Sequence, residues 1–132
     1  MKSDRTLLSW YKRINKRFFD GACPERVCVR WADPEEEARD EVWEERYFGE
    51  AGKLPADPDD ENYDPHHDYE IVMSHPKNDT WIVKISTLVH EMIHLATDLK
   101  DDHGPAFEQW RQHVGDRGIF KKHALRKGMT LF

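Results

Sequence analysis

Residues 80–99, TWIVKISTLVHEMIHLATDL, decide the fold. Trp81, Ile85, Leu88, Val89, Met92, Ile93, Ala96 and Leu99 recur three and four positions apart, the spacing of a helix with a broad apolar stripe. Thr80 stands at the N-cap position, where its hydroxyl oxygen can accept from an orphan amide of the first turn. The pattern therefore predicts a helix from about Thr80 to Leu99, buried at the centre of the domain. Inside it, His90, Glu91 and His94 form the pattern HExxH. Polar groups in so apolar a stretch need partners, because burying them unpaired is costly.

Two histidines four positions apart share a helix face, with Cβ atoms about 5–6 Å apart, which suits both imidazoles to one tetrahedral zinc. Glu91 is offset from that line, towards the space where a carboxylate takes a proton from water rather than ligating. Zinc lowers the pKa of that water towards ~7. The motif alone is weak. With eight His and twelve Glu among 132 residues, a shuffled chain contains it roughly once in twenty-five. A catalytic zinc also needs a third protein ligand and an open fourth position. His103 leads, nine residues beyond His94 and just before a Gly104-Pro105 turn that can swing the chain back. The longer pattern HExxHxxGxxH fails, because Thr97 holds the glycine place and Lys100 the histidine place. Asp98 continues the His90–His94 line but lies too far along the axis, and Glu108 is a remoter rival.

Beyond this helix, Pro105 suits the first position of another, with Phe107, Trp110 and Val114 facing inward. From Gly115 the tail reads as short and irregular. Before the helix, YEIVMS, residues 69–74, reads as a strand, either a sheet edge to which a substrate strand adds or an interior strand. HPKND, residues 75–79, turns the chain. Residues 33–68 begin with the acidic DPEEEARDEVWEER, which allows a short helix, and continue as a Gly-, Pro- and Asp-rich loop. In VCVRWA, Val27, Val29 and Trp31 alternate with Cys28 and Arg30, as in a strand with one buried face. From Asp4 to Phe19, Leu7, Leu8, Trp10, Tyr11, Ile14, Phe18 and Phe19 mark a helix that Asp20-Gly21 ends. The order is helix, strand, acidic insertion, strand, helix, helix. This is an α+β single domain over residues 1–132.

Five Trp, six Phe and four Tyr supply bulky burial despite 35% charged residues, which argues against global disorder. Trp10, Trp31, Trp81 and Trp110 read as core. A net charge of -6 provides no overall field towards phosphate. DNA is thus a candidate partner that charge does not support, resting on Lys12, Arg13, Lys16 and Arg17 with Lys121, Lys122, Arg126 and Lys127, which read first as a solvated face. No apolar run approaches the roughly 20 residues that span a bilayer, and MKSDRTLLSW lacks a secretory apolar stretch. No membrane partner and a cytoplasmic location are expected. Cys23 and Cys28 read as reduced thiols, with no second pair for a four-thiolate zinc site. His66, His67 and His75 read as surface histidines, and His113 and His123 as surface or helix-end residues, with nothing to assign either a place at the cleft.

Two blocks, FFDGACPERVCVRW at 18–31 and LVHEMIHLATDLKDDHGPAF at 88–107, resemble the SprT-like metalloprotease domain, the family that includes the DNA-dependent protease Spartan. Phe18, Phe19, Gly21, Val27, Val29 and Trp31 match its first block. His90, Glu91, His94, His103, Gly104, Pro105 and Phe107 match the second, and the resemblance runs from Leu7 to His113. It implies a zincin-like fold, one catalytic Zn²⁺ on His90, His94 and His103, and Glu91 as general base. It also implies proteolysis near DNA. Two departures stand out: no cysteines for the C-terminal zinc ribbon that many members carry, and a long acidic segment, with Ala51-Gly52, where the family has a shorter stretch around an Ala-Gly pair. The expected function is a zinc-dependent metallopeptidase acting on protein or peptide substrates, including DNA-associated proteins. The alternatives are a non-proteolytic zinc-containing module that recruits a partner through residues 33–68, and an amide hydrolase acting on a small molecule.

Overall fold

The structure is a computed structural model that describes residues 2–37, 48–75, 78–100 and 103–119. Helix α1 (Arg5–Phe18) begins where the Asp4 carboxylate accepts from the Leu7 amide at 2.9 Å, satisfying one orphan donor of the helix start. Its buried face, Leu7, Trp10, Tyr11, Ile14 and Phe18, is the stripe that the spacing predicts. It ends as expected, with Asp20 and Gly21 in the left-handed region at φ 54° and 80°. The Asn15 side chain then clasps both backbone groups of Cys23, accepting from its amide and donating to its carbonyl.

Strand β1 (Val27–Trp31) follows, then a one-turn helix α2 (Pro34–Glu37), strand β2 (Gly49–Lys53) and strand β3 (Tyr69–Met73). The sheet order is β1-β3-β2, with β1 parallel and β2 antiparallel to β3. YEIVMS is therefore the interior strand, and the edge nearest the HExxH helix is β2, inside the stretch expected to be loop. Single-face burial of β1 also needs correction. Cys28 is as buried as Val27 and Val29, while Trp31 is only partly buried. The polar face is closed by Arg30, which forms a bidentate pair with Glu36 at 2.6 and 2.8 Å and approaches Glu70 at 3.6 Å. Cys28 lies beside this cluster and Ser3. Both cysteines are free and buried.

Helix α3 (Trp81–Ala96) packs on β2 and β3 and also meets α1 and α4. Thr80 caps it, accepting from the Val83 amide at 3.3 Å. It stops three residues short of the expected end. The Leu99 amide donates to the His94 carbonyl and that of Asp98 to the Leu95 carbonyl, the paired bonds of a Schellman motif. Asp98 fills the left-handed position at φ 54°, where glycine is usual and would have marked the stop. Helix α4 (Pro105–Asp116) has Gly104 as N-cap and Pro105 in its first turn. It includes Gly115 and Asp116, so the irregular tail begins later than the sequence predicts, and Ile119 is fully buried in the core. Phe107 and Val114 are buried, and Trp110 stacks on Phe19 at 5.2 Å. Residues 38–47, Pro76, Lys77, Lys121, Lys122, His123, Arg126 and Lys127 lie outside the described residues. No helix among those described is long and apolar enough to cross a membrane.

Candidate metal centre

His90 and His94 stand one turn apart on α3, and the loop to α4 brings His103 to meet them. The backbone at His103 has φ 64°, a left-handed conformation that costs a non-glycine residue roughly 1–3 kcal/mol and that structures tolerate chiefly at sites of function. Nε2 of His94 lies 3.3 Å and Nε2 of His103 3.1 Å from Nε2 of His90. An imidazole nitrogen carries one proton or one lone pair, so Nε2 of His90 cannot hydrogen-bond to both neighbours at once. A metal accounts for the convergence better. Zinc–nitrogen bonds of about 2.0–2.1 Å at tetrahedral angles set ligand nitrogens about 3.3 Å apart. Phe107 lies against all three imidazoles, with ring centroids 4.8–5.0 Å away.

The electrostatics suit a cation. Burial, helped by His94 and His103, pushes the His90 imidazole down to about 4, so at neutral pH it offers a lone pair rather than a proton. Burial, with Glu50 nearby, pushes the Glu91 carboxyl up to about 8. Glu91 is 6% exposed and lies under the start of β2. The close approach depends on Gly49, where a Cβ would fall 2.9 Å from Cγ2 of Thr87, 3.2 Å from the Val72 carbonyl oxygen and 3.5 Å from Cγ of Glu91.

The rival third ligands are engaged elsewhere. Asp98 accepts from the Tyr69 hydroxyl at 2.9 Å, and Glu108 pairs with Arg111 at 2.8 Å. His67 pairs with Asp64 and His75 lies on Trp31. His113 sits 3.6 Å from Asp20 rather than in the cleft. Among the described residues, the one group of three or more side chains placed to hold a metal is His90, His94 and His103.

The SprT-like family model matches residues 7–125, most of the chain. The chain belongs to the SprT-like family. No curated protein and no solved structure matches it. This SprT-like site also includes side chains that the sequence did not single out. Phe48, Gly49, Ile82, Val83, Ser86 and Thr87 line a groove of about 610 Å³ together with His90, Glu91 and His103. Ile82 and Ser86 lie eight and four positions before His90, on its helix face, a periodicity that was available in the sequence. Phe48 and Gly49 come from a distant segment, and only the fold brings them there.

Proposed function

We propose that this SprT-like chain is a zincin-like, single-domain zinc metallopeptidase, with His90, His94 and His103 holding one Zn²⁺ and Glu91 as general base. The observation that carries it is the convergence of three imidazoles, Nε2 of His94 and Nε2 of His103 each standing at tetrahedral ligand spacing from Nε2 of His90, beside a buried carboxylate and an open groove. Three imidazoles suit zinc among the available metals. When bound, the ion supplies Lewis acidity and acidifies a water for attack.

The chain's own groups supply the remainder. Glu91 faces the groove, where its carboxylate takes a proton from the attacking water and passes it to the leaving nitrogen. A base serves both steps best with a pKa near the working pH. Burial raises Glu91 to about 8, and a cation at the triad opposes that shift, drawing it back towards neutrality. Phe107 restricts the three imidazoles by packing against them. Substrate is held along β2. In the β2–β3 register, Ser74 donates to Phe48 and Leu54 to the carbonyl of Asp68. Antiparallel alternation then turns the backbone groups of Gly49, Ala51 and Lys53 outward, free among the described residues to bind an extended chain by strand addition.

The test is incubation of the zinc-loaded protein with a flexible protein such as reduced casein, with and without single-stranded DNA, beside Glu91→Gln. Cleavage by wild type that chelation and Glu91→Gln both abolish is expected. Zinc binding without cleavage under either condition would favour a non-proteolytic recruitment module. Stimulation by DNA would assign DNA-associated proteins as the substrate class.

A further inference from the structure

Among the described residues four large hydrophobic side chains are left exposed, and two of them, Phe48 at 37% and Ile82 at 41%, line the groove beside the triad. Val83, Ser86 and Thr87 line the same groove. The groove is continuous with His90, Glu91 and His103. Apart from the candidate catalytic groups, it presents no charged side chain. Exposed apolar surface concentrated at one rimmed site marks a binding surface rather than chance scatter.

Position along α3 limits what occupies it. Ile82 precedes His90 by eight residues, about 12 Å of helix axis, the span of three to four residues of extended chain. A chain laid along β2 with its scissile bond at the triad therefore places a side chain over Phe48, Ile82 and Val83. We infer that this groove is a specificity pocket taking a large apolar side chain within about three residues of the scissile bond. Such side chains are exposed in unfolded chains and buried in native ones, so the pocket directs the site towards unfolded or partly unfolded protein. The inference rests on the peptidase reading but is separable from it.

The test is calorimetric titration of the zinc-loaded protein with peptide hydroxamates differing at one side chain, glycine, leucine, phenylalanine or aspartate. In parallel, mass spectrometry maps the cuts made in reduced casein. Leucine and phenylalanine should bind at least about tenfold tighter than glycine, a half-open pocket's share of full side-chain burial, and aspartate no tighter. Ile82→Asp should erase that margin while keeping zinc content and helicity, because an acid in the first turn suits the helix dipole. Phe48→Ser provides a second variant from a different element. A wild type without side-chain preference, or a preference surviving both variants, overturns the pocket. Selective binding without cleavage keeps the pocket and overturns the peptidase reading. Cleavage without selectivity does the reverse.

Discussion

Replacing Gly49 by alanine tests how closely β2 must approach the centre. The new Cβ would lie 2.9 Å from Cγ2 of Thr87 and 3.2 Å from the Val72 carbonyl oxygen. Carbon atoms normally pack about 3.5–4.0 Å apart, so strand and helix must separate by roughly 0.6–1 Å. Thr87 is β-branched and buried, which leaves its methyl little freedom to swing away. Overpacking of this kind costs about 1–3 kcal/mol. Separation also moves the outward backbone of β2 relative to Glu91, and a shift of about 1 Å at a reacting centre can slow turnover about 10²-fold. Gly52 is the control, in the same strand but with nothing within 4 Å of its added Cβ. Urea denaturation and casein cleavage would be measured for both variants. Gly49→Ala is expected to lose stability and most activity, and Gly52→Ala to keep both. Equal behaviour of the two variants would refute the close-approach reasoning.

Other consequences follow from individual contacts. Glu91, raised by burial to about 8, binds its proton more tightly folded than unfolded. The metal-free protein therefore loses stability as pH rises from 6.5 to 8, by up to about 2 kcal/mol, and Glu91→Gln should flatten that slope in chemical denaturation. His90, depressed to about 4, has the opposite sign, its neutral-form stabilisation present above about 6.5 and lost as pH falls towards 4. In a Glu91→Gln background, which removes the opposing carboxyl contribution, acid should therefore destabilise the metal-free protein below about pH 6.5, less so when His90→Gln is added. Phe107→Ala removes a buried ring and should cost about 3–5 kcal/mol and weaken zinc binding. Phe107→Leu, which keeps more of the volume, should recover stability more fully than affinity, as thermal melts and zinc titrations would read. Thr80→Ala deletes the α3 cap and should cost about 1 kcal/mol without changing zinc affinity.

The helices were legible because their signals are local. Thr80 caps α3, the apolar stripes repeat at helical spacing, and Pro105 starts α4. The triad was nearly as legible, since two of its members share a helix turn and the third stands before a Gly-Pro turn. What escaped was decided by distant partners. GEAGK has no β-branched or aromatic residue to announce a strand, and it is one because β3 offers an edge. Cys28 is buried because Arg30, held by its bidentate pair with Glu36 and 3.6 Å from Glu70, lies over that face, a closure that alternation cannot show. Helix α3 stops early because Asp98 adopts a left-handed conformation that glycine would have advertised. The groove joins Phe48 to Ile82 and Val83, and no periodicity links residues so far apart in the chain.

The most direct measurement of the central claim is X-ray absorption at the zinc edge, with metal analysis, on wild type and His103→Ala. One zinc per chain with three imidazole nitrogens at about 2.0–2.1 Å, and loss of that shell in His103→Ala, is the predicted result. Substoichiometric zinc, or a wild-type spectrum without three histidine ligands, would contradict it.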